Sequence, residues 1–312
     1  MDIITFEGGA MNIYIYWLRR VIFTLFVLCL SCSNSGLETH MSSTTEDLSQ
    51  YSSDEPQKAI YLLFIHHSTG GELLADKGEQ SGLLAQYRIY ATHPNGGGLR
   101  RLLMENNYIV HEASYGSVVG EETDICHWNR KFRDHMGAIL ITKQQDEKFT
   151  DGTRNRVVVF KSCFPNSWMT SDGKAPGDPD SCEKTTANYK AVYRNLLDYF
   201  RNQPDTLFVV FTAPPLVKPE LYTKEKIFNT LKTIIGRPDT VEKIGVRARS
   251  FNNWLKDVKN GWLKDYDQNN VVVFDYYDIL TDKGKSDWSA YPTRGGKDSH
   301  PNSEGQSRAA RE

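Results

Sequence analysis

Ser68, His300 and Asp298 are the residue types that nucleophilic acyl transfer requires, and they stand near opposite ends of the patterned part of the chain. A hydroxyl is a poor nucleophile at neutral pH, so it needs a base within hydrogen-bond reach, and the base needs a partner that orients it. Ser68 in HHSTGG offers the alcohol, His300 in DSHPN the imidazole, and Asp298 the carboxylate. The oxyanion that develops on an attacked carbonyl must meet preorganised donors. The backbone N–H groups of Ser68 and Gly116 and the side-chain amide of Asn166 are candidates, and glycine at 116 lets backbone approach a substrate closely.

Something must carry these residues to one place. Five short apolar runs bounded by turn residues read as buried strands: 59–65 (AIYLLFI), 108–113 (YIVHEA), 157–160 (VVVF), 207–212 (LFVVFT) and 271–274 (VVVF). Amphipathic stretches at 98–107, 186–202 and 241–259 lie between them. In the second, Tyr189, Val192, Tyr193, Leu196, Leu197 and Phe200 recur at helical spacing. Strands alternating with helices predict a parallel sheet covered on both faces, a three-layer α/β/α sandwich with a five-stranded parallel sheet. In such sheets ligands bind beyond the carboxyl ends of the strands, which is where Ser68, Gly116 and Asn166 fall. The less regular segments 120–154 and 216–239 read as insertions that wall a cleft.

A Ser after the first strand, a Gly after the second, an Asn after the third and a terminal Asp, His, Pro and Asn together resemble the SGNH (GDSL-like) hydrolase superfamily. Ser68 in HHSTG stands for the block-one serine, Gly116 in SYG for block two, Asn166 in CFPNS for block three and His300 in DSHPN for block five. The resemblance implies a flavodoxin-like sheet and metal-free hydrolysis of esters of lipids, carbohydrates or small molecules. The sequence departs from the family's pattern at three places. His67 replaces the glycine of GDS; the aspartate stands two residues before His300, with Lys297 at the usual third place; and GxND is absent, which leaves Ser162 or a local backbone amide as alternatives to Asn166.

Other suggestive residues have plainer readings. Neighbours on a strand point to opposite faces, so His66 and His67 do not readily share a metal ion. Trp128 and Trp168 read as core, Glu121 and Glu122 as a solvated loop, and Lys161 as either an ion-pair partner or a substrate contact. No cysteine and histidine spacing suits zinc, and neither metal nor cofactor is expected.

The N-terminus is different in kind. Arg19 and Arg20 precede an apolar stretch, 21–30, that is short for a membrane span and suits a signal peptide over residues 1–32. LCLSC resembles a bacterial lipobox, with Cys32 as the lipidated residue that would anchor the protein to a bilayer. Residues 33–57, rich in Ser, Thr, Asp and Glu, suit a flexible tether, and 58–312 form the hydrolase domain. In an oxidising compartment Cys163 and Cys182 are the preferred disulfide, because the loop between them is rich in Asp, Gly, Pro and Ser. A net charge of -2 with dispersed cations gives no case for nucleic acid. The expectation is an exported, membrane-anchored serine esterase whose substrate is an acyl ester, such as an O-acetylated glycan. An inactive carbohydrate-binding or scaffold lipoprotein on the same fold is the alternative, and a metal-dependent hydrolase using the His pair is a third.

Overall fold

The structure, a computed structural model, describes residues 54–219 and 241–312. The signal peptide, Cys32, residues 33–53 of the tether and residues 220–239 of the second insertion lie outside the described residues.

Five parallel strands form the central sheet: β1 (Ile60–Ile65), β2 (Tyr108–Ala113), β3 (Val157–Lys161), β4 (Leu207–Phe211) and β5 (Val271–Phe274). Their spatial order is β2-β1-β3-β4-β5, with Ile65 opposite Ala113 on one side and Phe160 on the other. The runs are continuously apolar because both faces of the sheet are covered. Alternate residues serve opposite layers. Leu63, Ile65, Val158, Phe160, Phe208 and Val210 pack into one core, while Leu62, Phe64, Val157, Val159 and Phe211 pack into the other.

The first core is covered by α3 (Ile125–Ile141), α4 (Thr186–Arg201) and α5 (Val241–Lys256). The second is covered by α1 (Ser68–Leu74), α2 (Leu99–Glu105), α6 (Tyr276–Leu280) and α7 (Ser303–Arg311). The expected three-layer sandwich is therefore the observed architecture.

Helix α3 corrects the reading of 120–154 as an irregular insertion. Its inner face carries Ile125, Trp128 and Phe132, but also the buried polar residues Asn129 and Lys131, which blur the apolar period. Lys131 is held by the carbonyls of Val119 and Glu121, and burial pushes its pKa down to about 8.

The disulfide is also corrected. Cys126 pairs with Cys182, and Cys163 is free. Cys126 sits in the first turn of α3, where the loop leading to α4 passes, whereas Cys163 follows β3 and packs toward α1. The bond closes a loop over a sequence separation of 56. By loop-closure entropy, a Cys126→Ser, Cys182→Ser variant is expected to lose on the order of 4 kcal/mol in equilibrium denaturation. Unchanged stability would show that the bond does not form.

Candidate active site

The order β2-β1-β3 places a topological switch point beside β1, where crevices open in doubly wound sheets. The chain leaves β1 through His66 and His67 and enters α1 at Ser68. The helix packs closely on a neighbouring segment: a Cβ on Gly71 would lie 1.8 Å from the Arg88 carbonyl oxygen, so only glycine fits there.

The C-terminal segment brings the base. Strand β6 (Asp298–Pro301) pairs antiparallel with Pro292–Thr293, and Asn302 then caps α7 by accepting from the N–H groups of Glu304 and Gly305. Gln306 of α7 donates to the Thr69 carbonyl at 3.2 Å and accepts from the Tyr276 hydroxyl at 2.7 Å. These bonds tie α7 to α1 and so set His300 over Ser68.

Ser68 Oγ lies 3.1 Å from His300 Nε2, and His300 Nδ1 lies 2.7 Å from Asp298 Oδ1. The same carboxylate oxygen accepts from the His300 backbone N–H at 3.0 Å, which fixes carboxylate and ring together. A carboxylate only accepts, so Nδ1 carries the proton and Nε2 is left free to take one from Ser68. Burial pulls the Asp298 carboxyl up, but the His300 ring and backbone N–H more than reverse it and hold the group below its ordinary value. Phe164 meets the His300 ring edge-on at 4.9 Å. A spacing of two residues before the histidine thus suffices to bring the carboxylate to Nδ1.

The expected oxyanion donors fare differently. Ser68 N–H lies at the nucleophile. Gly116, at φ +77°, has its N–H bound to Glu121 Oε2 at 2.6 Å. Asn166 is fully buried; its amide donates to Asp124 Oδ1 at 2.7 Å and to the Cys163 carbonyl at 3.2 Å, and its oxygen accepts from Ile125 N–H at 2.8 Å. Both side-chain amide protons of Asn166 are committed, and its oxygen holds the N–H of Ile125 at the start of α3. Ser162 is occupied too, by the Trp128 indole N–H at 2.8 Å.

The other residues singled out in the sequence have partners of their own, and Glu112, Arg100 and Tyr115 join them. His66 and His67 do point apart. Buried His66 meets Glu112 at 2.9 Å, and Glu112 also pairs with Arg100. Burial would raise the Glu112 carboxyl, but His66 and Arg100 outweigh it and hold it low. His67 donates from Nε2 to the Gly120 carbonyl at 3.0 Å and stacks on Tyr115 with ring centroids 3.6 Å apart. Lys161 is buried, donates to Thr69 Oγ1 and lies 3.8 Å from Cys163 Sγ. Trp128 is core, whereas Trp168 is 38% exposed and corrects the reading of it as core.

Burial pushes His67 down to about 4 from an ordinary 6.5. Between those values the unfolded chain holds a proton that the folded chain does not, so acid favours unfolding. The associated stability is complete above pH 6.5, is lost as pH falls through 4 and amounts to about 3 kcal/mol. Denaturation midpoints measured from pH 7 to 4 should therefore fall more steeply for the native protein than for His67→Gln; equal slopes would contradict this.

No family model matches the sequence, and no curated protein matches it. Among solved structures, the chain is similar to a mutant of an acetyl-xylooligosaccharide esterase from Geobacillus Stearmophilus. The two are 14% identical with a TM-score of 0.38, over 82% of this chain and 93% of that one.

Proposed function

We propose that this chain is a serine hydrolase that cleaves carboxylic esters by acyl transfer. The observation that carries the reading is the linked set Ser68, His300 and Asp298, at 3.1 Å and 2.7 Å. Ser68 Oγ attacks the ester carbonyl as its proton passes to His300 Nε2, and Asp298 stabilises the imidazolium formed. The proton then goes to the departing alkoxide, leaving an acyl-enzyme on Ser68. Water, activated by the same imidazole, releases the acid and restores the serine.

A short acyl group on a carbohydrate is the substrate class we favour, since esters of carbohydrates are among those that the resemblance carried by Ser68, Gly116, Asn166 and His300 implies. Export as a lipoprotein through Cys32 belongs to the same reading, and the Cys126–Cys182 disulfide supports an oxidising compartment. The test is release of acetate from acetylated xylooligosaccharides and of nitrophenol from p-nitrophenyl acetate by the purified protein. Turnover of both supports the reading, and turnover of neither overturns it.

One observation favours a second reading, an inactive carbohydrate-binding scaffold: the Gly116 N–H and the Asn166 amide are both occupied. Glycan binding without ester turnover would select it.

A further inference from the structure

Cys163, Thr69 and Lys161 take no part in the proton path described above, yet they meet at the nucleophile. Cys163 is free and half-buried at the end of β3. Its Sγ lies 3.9 Å from Ser68 Oγ, 3.4 Å from Thr69 Oγ1 and 3.8 Å from Lys161 Nζ. Thr69 and Lys161 are buried, and Lys161 Nζ donates to Thr69 Oγ1. The same Nζ lies 5.8 Å from the Tyr276 ring, whose face favours a cation.

The chemistry of these groups sets the direction of each hydrogen bond. An ammonium only donates, so the Thr69 hydroxyl accepts from Lys161 and has its own proton to give. Cys163 Sγ accepts that proton and a second from Lys161. A thiol carries one proton, and here it faces Ser68 Oγ. Ser68 therefore accepts from Cys163 and donates to His300 Nε2, 3.1 Å away.

The order matters because a serine hydroxyl rotates among the acceptors within reach. Were Sγ open, the Ser68 proton would be divided between sulfur and imidazole. Donation from Thr69 and Lys161 fills Sγ and removes that competition.

We propose that Cys163, Thr69 and Lys161 are positioning residues, a row of hydrogen bonds that fixes Ser68 Oγ and directs its proton at His300. This rests on the serine-hydrolase reading above and deepens it. No bond within the three side chains forms or breaks in the reaction. The Oγ proton passes to His300 as Oγ bonds to the carbonyl carbon, and the thiol proton stays on sulfur.

The test is a pair of substitutions at position 163. Cys163→Ala leaves Oγ without its donor, and kcat for p-nitrophenyl acetate is expected to fall about 10–10²-fold with KM within about threefold, the scale of a slightly displaced reacting group. Cys163→Ser keeps both a proton and an acceptor, and should return kcat to within about threefold of the native value. A packing role would give serine no such advantage, since both side chains are smaller than cysteine. Thr69→Val keeps the shape and removes the hydroxyl; kcat should fall by a similar factor, and Thr69→Ser should recover it. Because the two positions belong to one row, the double variant Cys163→Ala, Thr69→Val should cost no more than the worse single change. Losses that multiply, or a serine at 163 as slow as alanine, overturn the proposal. Should a Cys163 variant fail to fold, the Thr69 pair reads the same row from its other end, and a Thr69→Val protein with native kcat overturns it. Native kcat in Cys163→Ala and Thr69→Val beside no turnover in Ser68→Ala overturns this inference alone. Native turnover in Ser68→Ala overturns the parent reading and this one together.

Discussion

Alanine at Ser68 or at His300 is expected to lower kcat for p-nitrophenyl acetate by on the order of 10⁵–10⁶-fold, with the double variant no worse than either single one. The non-additivity follows from the geometry. Ser68 Oγ and His300 Nε2, 3.1 Å apart, act as one proton-transfer unit, so losing either half loses the whole. Ser68 contributes no side-chain cap to α1, so removing its hydroxyl should leave the unfolding midpoint almost unmoved. His300 packs edge-on against Phe164, so His300→Gln is the safer companion, filling the gap while removing the base. Steady-state kinetics beside chemical denaturation checks both. If Ser68→Ala turned over within tenfold of the native rate, the nucleophile would lie elsewhere.

The second large effect belongs to the carboxylate. Asp298→Asn is nearly isosteric, yet it should cost about 10⁴-fold in kcat, because an amide does not hold the imidazole in the required tautomer or balance the imidazolium. Asp298 Oδ1 accepts from both the ring and the backbone of His300, and Oδ2 faces exposed Arg294 at 3.5 Å. Glu72 is the rival. It lies one turn beyond Ser68, is 6% exposed and interacts electrostatically with His300, while burial drives its carboxyl upward. The Nδ1 proton of His300 is already taken by Asp298 Oδ1 at 2.7 Å, so Glu72 is not expected to substitute. A loss below tenfold in Asp298→Asn, followed by collapse on adding Glu72→Gln, would reassign the acid.

What could be read from residues alone followed the strength of their local pattern. The five strands were legible because parallel strands buried on both faces are unbroken apolar runs; Ser68 stood out because it directly follows the first of them, and His300 because it lies in the terminal DSHPN segment. Helix α3 was not, since Asn129 and Lys131 lie on its buried side and are satisfied by Asp180 and by carbonyls of a preceding loop. The disulfide turned on where α3 begins, which hides Cys126 as the partner of Cys182. Gly116 and Asn166 had suitable chemistry, but their protons are taken by Glu121 and Asp124, and no spacing reveals that.

The central claim is that the Ser68 alcohol is made nucleophilic by His300. Its most direct measurement is the rate and site of labelling by a fluorophosphonate, mapped by peptide mass spectrometry in the native protein and in His300→Gln. The account predicts one adduct per chain, on the peptide holding Ser68, formed rapidly in the native protein and not detectably in the variant. An adduct on another residue, labelling that survives loss of the imidazole, or no labelling of native protein that hydrolyses p-nitrophenyl acetate would contradict it.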